Sequence, residues 1–220
     1  MYVVALATQK GGSGKSTLTI GLVIAAMEEG QRVGAIEADA QGTISRWGAR
    51  RADPNPRIER VCIGSDIERA LARLRRDGFT LAVIDTAATD NDLAASAIAA
   101  ADLCLIPART SPADIEAALP TLNTVRKLKK RFAFVLNQAP VRSNRVSEAA
   151  TALHAAGMLA LPYIVLRNDH QDALGAGLGV TEHNSCGKAA EEVRELWRWV
   201  WKTLTAESID HGSAAIMATG

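Results

Sequence analysis

One short stretch near the start of the chain constrains the fold more than any other: Lys10-Gly11-Gly12-Ser13-Gly14-Lys15-Ser16-Thr17. It follows an apolar, β-branched run, Tyr2 to Ala7, and precedes a segment from Leu18 to Glu29 that reads as a helix. Strand, glycine loop, Lys-Ser and helix, in that order, describe a phosphate-binding loop. The glycines let backbone N–H groups turn inward around phosphate oxygens. The helix start adds free N–H groups and a positive dipole end. Lys15 is placed to meet the outer phosphates, and the Ser16 hydroxyl to ligate Mg²⁺. These residues imply a nucleoside triphosphate held by Gly11, Gly12, Ser13, Gly14, Lys15, Ser16 and Thr17.

The usual loop is G-x-x-x-x-G-K-[ST]. Counting back from Gly14, its first glycine falls on Gln9, and a second lysine, Lys10, stands inside the loop. This K-G-G-x-G-K-[ST]-T form resembles the deviant Walker A motif of the ParA/MinD family of ATPases. In that family the extra lysine crosses a dimer interface to the partner's nucleotide, so the resemblance assigns that role to Lys10.

Further along, apolar runs alternate with amphipathic ones. Strands are expected at Arg32–Glu37, Ile58–Ile63, Leu81–Ile84, Leu103–Ile106 (closed by Pro107), Phe132–Leu136 and Leu159–Tyr163. Helices are expected at Gly42–Arg50, from Ser65 (with Glu68 as a capping box) to Asp77, at Leu93–Ala101, from Ser111-Pro112 to Lys129, at Ser147–Ala156 and at Lys188–Thr205. Short continuous apolar strands between helices imply an α/β fold: a mostly parallel sheet with helices on both faces. At 220 residues, one such domain over 1–205 is expected, with 206–220 as a flexible tail.

Ligands of these sheets sit at the carboxyl ends of the strands. Lys10, Asp39, Asp85 and Asn137 all fall there. Asp85 ends an apolar run as a Walker B aspartate does, and its carboxylate suits the oxygen-rich shell of Mg²⁺. Glu37-Ala38-Asp39-Ala40-Gln41 resembles the family's D-x-D-P-Q segment. The resemblance gives Asp39 the orientation of the attacking water and support of Mg²⁺. Glu37 stands in place of the first aspartate and Ala40 in place of the proline. Asp85-Thr86-Ala87-Ala88 resembles D-x-P-P without its prolines. An asparagine at the position of Asn137 lies by the adenine ring in the family, where its amide offers both a donor and an acceptor. By resemblance, then, Lys10, Lys15 and Asp39 are catalytic, Ser16, Asp39 and Asp85 hold the metal, and ATP and Mg²⁺ are the ligands.

The net charge of +1 does not mark a nucleic-acid binder, so such a surface must come from clustering. Arg126, Lys127, Lys129, Lys130 and Arg131 form one basic run, and Arg194, Arg198 and Lys202 one helical stripe, with Arg142, Arg145 and Arg167 as further sites. These cations either contact DNA phosphates without reading sequence or are solvated at helix ends. Val193, Leu196, Trp197, Val200, Trp201 and Leu204 read as the core side of the last helix. Cys62 and Cys104 read as small core residues, and the four histidines lack zinc spacing. No leader and no membrane-spanning run is read from the sequence, so a cytoplasmic protein is expected, and the resemblance implies association with the nucleoid. The resemblance implies an ATP-dependent homodimer that binds nonspecific DNA and positions a cargo (plasmid, chromosome region or protein assembly) with a ParB-like or other adaptor. No stable membrane association is expected. The alternatives are a MinD-like membrane-cycling ATPase, an iron–sulfur reductase lacking the needed cysteines here, and a metabolic ligase on the same loop.

Overall fold

The computed structural model describes residues 1–89 and 92–216. From the amino end the chain forms β1 (Tyr2–Leu6), α1 (Lys15–Glu28), β2 (Val33–Ala38), α2 (Thr43–Gly48), β3 (Arg57–Arg60), α3 (Gly64–Arg76) and β4 (Leu81–Thr86). It continues through α4 (Asp92–Ala100), β5 (Leu103–Ala108), α5 (Pro112–Glu116), α6 (Leu119–Lys127), β6 (Phe132–Leu136) and α7 (Asn144–Ala156). Two short helices, α8 (Asp169–Gly175) and α9 (Val180–His183), lead into the long α10 (Lys188–Ile216).

The strands make one six-stranded sheet in the order β3-β2-β4-β1-β5-β6, and every pairing is parallel. Strands β2, β4 and β5 are buried along their whole length, as expected of a sheet covered on both faces. One face packs under α1, α2 and α10, with Leu6, Val83, Leu105 and Val135 meeting Leu22, Trp47 and Trp197. The opposite face packs in two clusters, one under α3 and α4 and one under α4, α6 and α7. The apolar stripe of α10 is core: Val193, Leu196, Trp197, Val200 and Leu204 are buried, and Trp201 is half-buried, edge-on to Tyr2.

Several expectations change. The helix from Ser111 breaks at Ala117-Ala118, because Pro120 cannot continue it and instead sits in the first turn of α6. Ser111 does cap α5, accepting from the Asp114 amide at 3.2 Å. Pro107 lies inside β5 rather than ending it. Its missing N–H would face β1, whose pairing has already stopped at Leu105. Ser65 is inside α3, which starts at Gly64 without a side-chain cap, so the expected capping box is not formed. Residues 159–163 form no strand; Leu159 makes one isolated bridge to Phe134 of β6. Cys104 is buried, and its thiol is pushed up to about 12 by that burial, but Cys62 lies past the end of β3 and is exposed. Helix α10 continues beyond Thr205 to Ile216, and residues 217–220 of the expected tail lie outside the described residues.

Trp47 is wholly buried, and its indole N–H donates to the Leu178 carbonyl at 3.0 Å. Replacing it by alanine leaves a large cavity and an orphaned carbonyl. Trp47→Ala is expected to lower unfolding free energy by about 3–5 kcal/mol in urea titrations. A loss below about 1 kcal/mol would mean that α2 does not depend on this anchor.

Candidate phosphate-binding site

The site sits on the carboxyl edge of the sheet, between β1, β2 and β4. Register places Leu6 beside Asp85, and Asp85 beside Glu37. The loop after β1 turns through Gly12 (φ 72°) and Gly14 (φ 88°), both left-handed, and delivers Lys15 to the first position of α1. A Cβ on Gly14 would overlap the Asn137 amide as well as strain the backbone.

Lys15 points inward. It is 7 % exposed, and its ammonium donates to the carbonyls of Thr8 at 3.1 Å and Lys10 at 3.4 Å. Burial holds its pKa below the ordinary lysine value, with Asp85 and Asp39 pulling the other way. Ser16 donates its hydroxyl to Asp85 Oδ2 at 2.7 Å. Asp85 is wholly buried, and desolvation pushes its carboxyl up to about 7 despite that hydrogen bond and the charge of Lys15. Its other oxygen has no hydrogen-bond partner, and neither do the buried hydroxyls of Thr8 and Ser13. A buried carboxylate oxygen without a donor is costly. The donor set is all oxygen and hard, and a hydrated Mg²⁺ beside Ser16 and Asp85 would satisfy it.

Asp39 is half-buried on the loop between β2 and α2, where Oδ1 accepts the Gln41 amide at 2.8 Å. It therefore shares the site with Lys15 and Asp85. Lys10, in contrast, points outward. Its side chain is 39 % exposed, and its ammonium lies 3.9 Å from Asp114 Oδ1. Burial raises the Asp114 carboxyl, but the Ser111 hydroxyl and Arg109 outweigh it and hold the pKa below the ordinary value.

Asn137 follows β6 as expected, but its amide is already partly in use. Nδ2 donates one N–H to the Ser13 carbonyl at 2.7 Å, which leaves its second N–H and its oxygen for another partner. Gln138, which the sequence reading passed over, donates to the Gly12 carbonyl at 3.1 Å. Both amides clamp the glycine loop from the far side. Beside them opens a cavity of about 110 Å³, whose lining includes Thr17, Leu18, Arg167, His170 and Gln171. Burial holds His170 below the ordinary imidazole value. Residues 168–183 carried no strong periodicity, which is why α8 and this wall of the cavity were not foreseen.

The basic residues separate into two groups. Arg194 is bound to Glu28 and to the Ser185 and Thr181 carbonyls, Arg198 to Glu29, and Arg167 to Glu192. These are staples between α10 and the rest of the domain, although Arg198, like Lys202, stays exposed. Arg126 donates to the Ala156 carbonyl and Arg131 to that of Thr203. Lys127, Lys129 and Lys202 are exposed. Arg142 and Arg145 are exposed at the start of α7.

The family model described as VirC1 protein matches residues 1–176. The chain is 32% identical to protein virC1 of Rhizobium radiobacter over 133 residues, a match spanning 58% of this chain and 58% of that protein. It is 30% identical to maintenance of carboxysome distribution protein A of Gloeobacter kilaueensis over 212 residues, 92% of this chain and 93% of that one. Among solved structures, the cell division ATPase MinD of Pyrococcus furiosus superposes with a TM-score of 0.74 at 18% identity, covering 92% of this chain and 99% of that one.

In the protein without metal or nucleotide, Asp85 binds a proton that the unfolded chain releases. Stability should therefore fall as pH rises from about 4 through about 7. Asp85→Asn is expected to remove that slope and to stabilise the ligand-free protein at pH 8 by roughly 2–4 kcal/mol. Denaturant titrations across pH check this, and an unchanged slope in the variant would refute it.

Proposed function

The chain belongs to the ParA/MinD family of deviant Walker A ATPases, on the branch that the VirC1 model describes, and from that premise we propose that it is an ATP-driven dimerising switch. In this reading the ATP-bound dimer binds DNA without sequence preference and positions a cargo, and hydrolysis resets it. The observation that carries the reading is the divergence of the two loop lysines. Lys15 is folded into its own loop, whereas Lys10 stands at the rim, aimed away from it.

Lys10 must leave Asp114 to touch a second copy's phosphates. The contact is long and partly exposed, and pairs of this kind are worth about 0–1 kcal/mol. A phosphate of higher charge, in a site closed to water, outcompetes it. Lys15 and the loop amides from Gly11 to Thr17 would bind the triphosphate, and the Asn137 oxygen would face the base. Ser16 and Asp85 would hold Mg²⁺, with Asp39 supporting its shell, and the bound ion neutralises charge on the phosphate oxygens. Asp39 would orient the attacking water. Phosphoryl transfer needs little beyond such positioning and charge, which fits slow turnover until an adaptor, ParB-like or otherwise, completes the site.

Lys127, Lys129 and Lys202 are exposed cations, and they would lie on DNA phosphates. The apolar stripe of α10 is occupied by the core, which leaves it no role as a membrane face. Nucleic acid can favour the dimer only if it binds that state more tightly than the open one.

Light scattering with ATP and Mg²⁺ should show dimers for wild type and monomers for Lys10→Ala. Asp39→Ala should dimerise and hydrolyse ATP about 10²-fold or more slowly. Monomers of wild type under all nucleotide conditions would overturn the switch. DNA binding should require ATP. Each of Lys127→Ala, Lys129→Ala and Lys202→Ala should flatten the logarithmic salt dependence by about 0.9, with ATPase unaltered. Equal DNA affinity with ATP, ADP and no nucleotide would overturn the coupling.

A further inference from the structure

We propose that Glu37 is a positioning residue for hydrolysis: from the end of β2 its carboxylate holds the start of α2 and thereby fixes the bridge that carries Asp39. The inference rests on the reading above, in which Asp39 orients the attacking water.

The bridge is short. Strand β2 ends at Ala38 and α2 starts at Thr43, so only 39–42 span the gap. Its near end is fixed by the sheet, where Ala38 pairs with Thr86. Its far end depends on α2, a helix of 6 residues whose N-cap is Gly42 in the left-handed region, with no side-chain cap. Such an end leaves N–H groups unsatisfied. Glu37 supplies what is missing. Its Oε1 accepts the amides of Ile44 at 2.7 Å and Ser45 at 3.2 Å. Its Oε2 accepts the Ser45 hydroxyl and lies 3.4 Å from Arg60 Nε. The side chain is wholly buried, and donors surround both oxygens, so the carboxylate is used up as a cap and is not a third metal ligand.

Two departures in one segment now explain each other. Asp39, Ala40, Gln41 and Gly42 form a turn closed by the Gly42 amide and the Asp39 carbonyl at 3.1 Å. Ala40 stands at the second position of that turn, where proline pre-sets the backbone. Without the ring, this chain holds the bridge by hydrogen bonds: Asp39 to the Gln41 amide, Arg46 to the Gln41 carbonyl, and Glu37 to α2. The longer arm of glutamate is what lets residue 37 reach. An aspartate carboxylate is set back by about 1.5 Å, which takes a 2.7 Å contact beyond hydrogen-bonding distance.

The test compares steady-state turnover with ATP affinity, the latter read with a fluorescent ATP analogue. Glu37→Asp should lower kcat about 10-fold, because displacement of a positioning loop by about 1 Å is felt in the chemical step. ATP affinity should stay within about 2-fold, since Lys15 and the glycine loop are untouched. Adding Ala40→Pro should return kcat to within about 3-fold of wild type by restoring stiffness from the turn itself. Ser45→Ala removes one donor without stranding a buried charge, and should show a smaller fall in kcat, also recovered by Ala40→Pro. This second pair decides the matter if circular dichroism shows Glu37→Asp unfolded. Wild-type kcat in Glu37→Asp, loss of ATP affinity in parallel with kcat, or no recovery on adding proline would each overturn the proposal. Failure of the underlying reading looks different: Asp39→Ala would then hydrolyse ATP as fast as wild type.

Discussion

The register between β1 and β4 sets everything at the carboxyl edge of the sheet. Because Leu6 lies beside Asp85, the loop leaving β1 passes directly over the carboxylate, and Ser16 in the first turn of α1 meets it. Thr86 locks the same register by donating its hydroxyl to the Leu6 carbonyl at 2.8 Å. A slip of one residue would turn Asp85 to the opposite face of the sheet, under α3 and α4. The consequence is an electrostatic conflict built into the ligand-free protein. Lys15 and Asp85 are both desolvated, each is displaced toward its neutral form, and Asp85 keeps an oxygen with no donor. A phosphate and a divalent cation arriving together supply the missing counter-charges. The domain gives up stability at this edge in exchange for affinity, as functional sites commonly do.

The same loop shows how direction separates two chemically identical side chains. Lys15 begins a helix, so its stem runs back over the loop, and the carbonyls of Thr8 and Lys10 take its ammonium. Lys10 precedes the glycines and meets only Asp114 at the rim. Position within the turn, rather than residue type, makes one lysine a ligand of its own site and leaves the other available to a second molecule. An analogous division runs through the arginines. Arg194 on α10 is tied to Glu28 and to backbone carbonyls, whereas Lys127 and Lys129 are exposed. Arginine's planar fork suits fixed multiple contacts, and lysine suits a diffuse phosphate surface.

Much of this was legible in the sequence, for physical reasons. Buried parallel strands are continuous apolar runs, so β2, β4, β5 and β6 could be placed within about two residues. The glycine loop demands backbone freedom that few other arrangements need, so Lys15 and Ser16 followed from it, Asp85 from its place near the end of the apolar run of β4, and Asp39 from the resemblance. What escaped was non-local. Nothing in Ser143-Asn144 or Asp169-His170 has the period of a helix, yet α7 starts three residues earlier than expected and α8 forms because both pack on neighbours distant in sequence. Glu37 read as a substituted aspartate, since its role as a cap depends on amides seven and eight positions away. The hydrogen bond from the Asn137 amide to a loop carbonyl 124 positions distant likewise left no trace in the sequence.

The wall of the cavity beside Asn137 is held from behind by a second set of carboxylates. Glu192 on α10 accepts the Val165 amide at 3.0 Å and the Arg167 guanidinium through its other oxygen, which fixes 165–167 against the cavity. Glu182 accepts the Gly179 amide and both terminal nitrogens of Arg51, whose guanidinium stacks on Trp47. Arg51 lies just past α2, the helix capped by Glu37, so the Asp39 bridge and the segment that carries α8 and α9 are fastened to one another. Buried ion pairs of this kind add little net stability compared with apolar packing, but they admit one geometry. Apolar contacts alone would let short helices such as α2, α8 and α9 slide. Fork-shaped pairs with their remaining donors satisfied do not permit it. A domain whose carboxyl edge gathers the glycine loop, Asp39 and the cavity beside Asn137 thus relies on directional contacts where its helices are too short to be fixed by packing.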